Sequence, residues 1–228
     1  MALTTFSQLK TSIANYLNRS DLTGVIPDFI TLAESKLNRN LRLRKMQTTT
    51  TLTCVSGTAT LNLPTDFLEI VQLYVDGNPN VVLDYVNPNE IELNNLTDSS
   101  GTPQLYTIIG DTIKLAPIPD STYSVKITYF QKIPALSDSN TTNFLLTHYP
   151  QIYLYGSLVE SQPYIMNDER LVTWLTLYNE SVNAANQDDE KGRYAGRTAF
   201  AMSTDTATPW LNLETYKLIY QDIKILVH

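Results

Sequence analysis

The 228-residue chain has one cysteine, Cys54, and two histidines, His148 and His228. A single thiol cannot close an intrachain disulfide. Two imidazoles mean that a metal site would have to lean on carboxylates, and that a serine or cysteine nucleophile would have one non-terminal imidazole as its base. The glycine-rich phosphate loop, the dinucleotide-binding GxGxxG, the HExxH of zinc proteases and the GxSxG nucleophile elbow are all absent. No apolar run approaches the roughly 20 residues that a membrane-spanning helix needs. Basic residues are also short: 16 Lys and Arg against 23 Asp and Glu give a net charge of -7. That balance argues against wrapping nucleic acid, whose phosphates are held by clustered cations, so any DNA nearby is expected to slide past. The opening MALTTFSQLKTSIANYL shows neither the basic and apolar segments nor the cleavage site of a secretory signal, and the chain is expected to mature in a reducing cytoplasm.

Hydrophobic residues make up 43% of the chain, enough to bury a core in one moderate domain or two small ones. Thr5 and Gln8 have the spacing of a capping box, and Phe6, Leu9, Ile13, Tyr16 and Leu17 follow at helical intervals. A second helix is expected from Pro27 onward, with Phe29, Ile30, Ala33, Leu37 and Leu41 as its apolar stripe. Four cations, Arg39, Arg42, Arg44 and Lys45, sit in or just after its last turns, where the helix dipole favours positive charge.

The period then changes. TTTTLTCV and TATLNL around Gly57 suggest a hairpin, DFLEIVQLYVDGNPNVVLDYV a second one around Asp76 to Pro79, and QLYTIIGDTIKLAP a third with Gly110 and Asp111 at its tip. STYSVKITYFQKI supplies a long closing strand, and NPNEIELNNLTDSSGTP a short helix and loop. Residues 47–133 therefore read as an antiparallel sandwich or small barrel. Helical periods return in NFLLTHYPQIYLYGSLVESQPY, broken near Pro150, and in DERLVTWLTLYNESVNAANQDDE, with Leu171, Trp174, Leu175, Tyr178 and Val182 on one face. The expected fold class is α+β: one helical bundle from residues 1–46 and 134–190, with the β-domain of 47–133 inserted and a C-terminal arm from 191 to 228. The arm is small and polar up to Pro209, then apolar, with Trp210, Leu213, Tyr216, Ile219 and Ile223 as candidate contact residues.

No residue is assigned a catalytic, cofactor-binding or metal-ligating role. His148 reads as a helix-end or interface residue, and Cys54 as a small buried side chain. Asp168 and Glu169 suit a helix start, and Asp188, Asp189 and Glu190 read as a solvated acidic end. Tyr149 and Tyr153, four apart, point to a core or subunit face. The candidate interface residues are thus Arg39, Arg42, Arg44 and Lys45, which would meet an acidic surface on a neighbouring subunit or on another protein that the chain docks against, together with the five arm residues.

Five segments in order, TFSQLKTSIANYLNRSDLTGVIPDFITLAESKLNRNLRLRKM, LPTDFLEIVQLYVDG, YTIIGDTIKLAPIPD, the stretch from VKITYFQKIPALSDS to TWLTLYNE, and GRYAG, resemble the head-to-tail adaptor (connector) proteins of short-tailed bacteriophages. The resemblance covers about residues 4 to 197. It implies a structural virion protein made in the bacterial host cytoplasm, a homo-oligomeric ring, usually twelve-fold, beneath the portal protein. That ring would join the portal to the tail nozzle and surround the channel through which DNA leaves without sequence-specific binding, with no cofactor and no membrane. A tail-associated carbohydrate-binding β-module is the alternative suggested by the abundance of Thr, Asn and Tyr, and a virion hydrolase is a further one. The helices at both ends weigh against the first, and the missing motifs against the second.

Overall fold

The computed structural model describes residues 3–19, 21–93, 99–165 and 169–194. Its contacts divide the chain into a larger unit, residues 1–189, and a second unit, 190–228, of which residues 190–194 are described.

Helix α1 spans Phe6–Leu17. The capping box forms as its spacing predicts: the Gln8 amide donates to Thr5 Oγ1 at 3.3 Å, and the Thr5 amide to Gln8 Oε1 at 3.2 Å. Phe6, Leu9, Ile13 and Leu17 are buried, whereas Tyr16, expected on the same stripe, is exposed. Helix α2 spans Ile26–Asn40 with Pro27 in its first turn, where the missing N–H costs nothing. Leu41 is buried but lies beyond the helix in extended backbone, and a short 3-10 turn, Arg44–Met46, leads into the sheets.

The strands are β1 Gln47–Cys54, β2 Thr60–Asn62, β3 Phe67–Val75, β4 Val81–Val82 and β5 Asp84–Tyr85, followed by helix α3, Pro88–Leu93. After it come β6 Ser100–Gly101, β7 Leu105–Ile109, β8 Thr112–Ala116, β9 Ile118–Pro119 and β10 Tyr123–Gln131. They form sheets ordered β1-β10-β3-β4 and β2-β8-β7-β5, and a small β6-β9 pair. No sheet among the described residues closes into a barrel. Nor is the pairing wholly antiparallel, because β5 runs parallel to β7, and β6 to β9.

Two of the three expected hairpins form. β7 and β8 turn at Gly110, whose φ of +60° suits glycine at a tight turn, and β3 pairs with β4. The first does not: β1 pairs with β10 and β2 with β8. Gly57, at φ +76°, donates its amide to the Pro119 carbonyl and so carries the chain across from one sheet to the other. Leu83 makes a similar crossing between β4 and β5. The strand expected to close the domain, β10, is central, flanked by β1 and β3.

After the sheets come α4 Phe144–His148, α5 Pro150–Glu160, α6 Gln162–Ile165 and α7 Leu171–Tyr194, making seven α-helices among the described residues. The break falls at Pro150 as expected. On α7 the buried positions are Trp174, Ser181 and Ala185, with Tyr178 and Val182 partly buried; Leu175 faces out. One apolar cluster joins α1, α2, α4, α5 and α7 with Met46, Phe130, Ile133 and Leu136. A second gathers residues of both larger sheets, among them Cys54, Leu61, Leu73, Ile113, Leu115 and Ile127.

Candidate interface site

Beyond α2 the backbone is extended, so successive side chains alternate: Leu41 and Leu43 point into the core, Arg42 and Arg44 away from it. The basic cluster is thus pinned by apolar neighbours, with Met46 buried at its end, and only Arg39 lies in the last turn of the helix.

The four cations do different jobs. Arg42 pairs through Nε with Glu69 Oε2 on β3 at 2.8 Å. Its Nη1 donates to the carbonyls of Asn38 at 2.9 Å and Leu41 at 2.7 Å, satisfying an acceptor that the end of α2 leaves open. Its guanidinium also lies over the Phe130 ring on β10, 5.9 Å from the centroid. Arg42 therefore ties the end of α2 to the β1-β10-β3-β4 sheet. The Arg44 amide and Nε reach Asp189 Oδ1 at 2.8 Å and 3.3 Å. That carboxylate is only 10% exposed, so Asp189 does not belong to the solvated acidic end expected for α7. Arg39 and Lys45 are exposed and have no ion-pair partner among the described residues. Trp210, Leu213, Tyr216, Ile219 and Ile223 lie outside the described residues, as does Asp168.

Sequence reasoning missed the most buried polar assembly. Glu34, 5% exposed on the inner stripe of α2, accepts the Leu136 amide at 2.8 Å and the Tyr153 hydroxyl at 3.1 Å. Asn143 donates to Tyr153 Oη at 2.7 Å and to the Pro134 carbonyl at 2.8 Å, while its Oδ1 caps α4 through the Leu146 amide. Asn38 Oδ1 accepts the Ile133 amide at 2.8 Å. Together these bonds lock the segment leaving β10 onto α2, α4 and α5. Burial pushes the Glu34 carboxyl and the Tyr153 hydroxyl above their ordinary pKa ranges, and for Tyr153 the neighbouring carboxylate adds to the effect. The signal for Glu34 was its position four after Ile30 and three before Leu37, which places it on the buried stripe.

His148 Nδ1 lies 2.9 Å from the Phe144 carbonyl at the end of α4. Burial raises the Cys54 thiol. No group of three or more His, Cys, Asp or Glu among the described residues could hold a metal ion. A cleft of about 320 Å³ lined by Leu63, Pro64, Thr65, Phe67, Asp111 and Lys132 offers one carboxylate and one ammonium. Among the described residues no helix is long and apolar enough to cross a membrane.

The chemistry on view is thus that of cohesion and contact, set in helices and sheets linked by charged and buried polar ties. No curated protein matches the sequence. The family model described as SU10 adaptor protein matches residues 4–201, nearly the whole chain and all of its described helices and strands, and the chain therefore belongs to that phage head-to-tail adaptor family.

Proposed function

We propose that this chain assembles into a homo-oligomeric ring, dodecameric by the family resemblance, that joins the portal to the tail nozzle and surrounds the channel through which DNA leaves the capsid. The family match over residues 4–201 carries this reading. On it, the helices form one bundle, the two larger sheets form an inserted sandwich, and residues 191–228 form an arm that orders on assembly against the portal or an adjoining subunit, with Trp210 as an aromatic anchor. A ring repeats one heterologous contact, so each copy must present two different, complementary surfaces. Arg39 and Lys45, exposed and unpaired among the described residues, supply the outward charge of the basic cluster, while Arg42 and Arg44 hold it in place. Mass photometry and negative-stain imaging, with and without purified portal protein, test the proposal. The expected result is a ring seated on the portal; a monomer that ignores portal and binds glycans would replace the adaptor reading with a carbohydrate-binding one.

A further inference from the structure

Strand β1, QTTTTLTC, is an edge of its sheet and is eight residues long. The other edges of the two larger sheets, β4, β2 and β5, are two or three residues long. All eight residues of β1 pair with β10, and apart from the Gln47 amide, which donates to the Arg44 carbonyl, its backbone makes no hydrogen bond outside that ladder among the described residues. Long edges are normally blunted by charge, proline or a bulge, because their free N–H and C=O groups recruit further strands. β1 has none of these: it contains no charged residue, no proline and no glycine, and its pairing with β10 runs without a register shift. Thr49, Thr51 and Thr53 are exposed, and the Thr49 hydroxyl meets that of Thr128 on β10 at 2.9 Å, which fixes a regular polar face. An edge of this length and composition is built to receive a strand.

We infer that β1 is extended by residues 216–227 of a neighbouring copy, which add to its sheet as a further strand. Alternate positions of that segment, Ile219, Gln221, Ile223, Ile225 and Val227, are mostly β-branched, while the intervening Leu218, Tyr220, Asp222, Lys224 and Leu226 include both of its central charges. The first set can continue the inner face of Leu52 and Cys54, and the second the solvated face of Thr49, Thr51 and Thr53. Residues 195–215 separate the segment from the end of α7, and at about 3.3 Å per extended residue they span up to about 70 Å, enough to reach an adjacent protomer. The strand edge and the tail are two different surfaces that complement each other, as a heterologous contact requires. The inference rests on the ring reading only in that copies must lie side by side.

Amide hydrogen exchange on the full-length protein and on a variant lacking residues 216–228, each checked for oligomeric state by mass photometry, tests it. The outward-facing amides of β1 are expected to exchange about tenfold or more slowly in full-length oligomers than in the truncated variant, since each gains a hydrogen bond. Equal protection in both proteins would show that something other than the tail covers β1; free exchange in full-length rings would overturn the pairing while leaving the ring intact. A full-length protein that stays monomeric even with portal would instead defeat the ring reading. A second measurement identifies the donor copy. Equal amounts of T51C and D222C proteins, whose substituted positions share the solvated face, are mixed and treated with a short bis-maleimide, Cys54 being buried and out of reach. A cross-linked pair containing one of each supports exchange between neighbours. Cross-linking confined to single chains of a T51C/D222C double variant would show that each tail covers its own strand and would overturn the inference.

Discussion

Arg42 and Lys45 are three residues apart and carry the same charge, yet the fold uses them in opposite ways. Arg42→Glu would set a carboxylate against Glu69 and abandon the Asn38 and Leu41 carbonyls, so it is expected to cost about 1–2 kcal/mol of folding stability, measured by urea denaturation. The double reversal Arg39→Glu with Lys45→Glu touches no internal partner among the described residues. It is expected to leave stability within about 0.5 kcal/mol of wild type while abolishing incorporation into phage particles. Normal particles from that variant would remove these side chains from the assembly surface. Glu34 behaves differently because it is buried. Its carboxyl titrates above its ordinary range, so between the ordinary and raised values the folded chain holds a proton that the unfolded chain has lost, and stability falls as pH rises through that window. Glu34→Gln keeps an oxygen for the Leu136 amide and the Tyr153 hydroxyl but cannot ionise; denaturation midpoints from about pH 4.5 to 8 are expected to show a flatter slope than wild type.

At the level of elements, α5 is held between α2 and α7 at a single glycine. A Cβ built on Gly156 would lie 3.2 Å from Tyr178 Cε2 on α7 and 3.5 Å from the Ala33 methyl on α2. Gly156→Val is therefore expected to cost about 1–3 kcal/mol by forcing these helices apart, seen as a lower thermal midpoint. Gly156→Ala is expected to fall much closer to wild type, because alanine's better helix propensity offsets its tighter fit. The features that sequence revealed are those written locally: the Thr5 and Gln8 box, the helix break at Pro150 and the turn at Gly110 each depend on residues within four positions. What it hid depends on distant partners. TTTTLTC and TATLNL look like a hairpin because both alternate, yet alternation says only that each strand has a buried face, and β10 and β8 proved to be the partners. Tyr16 and Leu175 fit their helical stripes but face outward, since period alone does not set how wide a buried face is. The candidate site divides the same way. The four cations were visible as a cluster, but whether each turned inward depended on Glu69 and Asp189, and the partners of Glu34 lie 102 and 119 positions away.

For the whole molecule, charge is the property that bears on DNA. The chain carries -7 overall, so a ring multiplies a negative charge with every copy added. Its described cations are also largely engaged: Lys10 with Asp138, Arg19 with Asp21, Lys36 with Glu160, Lys114 with Glu92 and Lys126 with Asp76, besides Arg42 and Arg44. A cation already paired with a carboxylate gains less from a phosphate, because the existing pair must first be broken. Tight binding to duplex DNA requires many phosphate contacts, and each releases a counterion, so affinity falls steeply as salt rises. A ring of this composition should instead let the duplex pass with little friction, as an acidic surface repels the backbone over about a Debye length. The isolated oligomer is therefore expected to bind duplex DNA weakly, with a logarithmic salt slope corresponding to only about one or two phosphates per protomer. Fluorescence anisotropy of a labelled duplex, titrated with protein at several salt concentrations, measures that slope directly. Tight binding that collapses between about 50 and 200 mM salt would mean that Arg39, Lys45 and residues outside the described ones present a cationic track, and that the ring grips its cargo rather than guiding it.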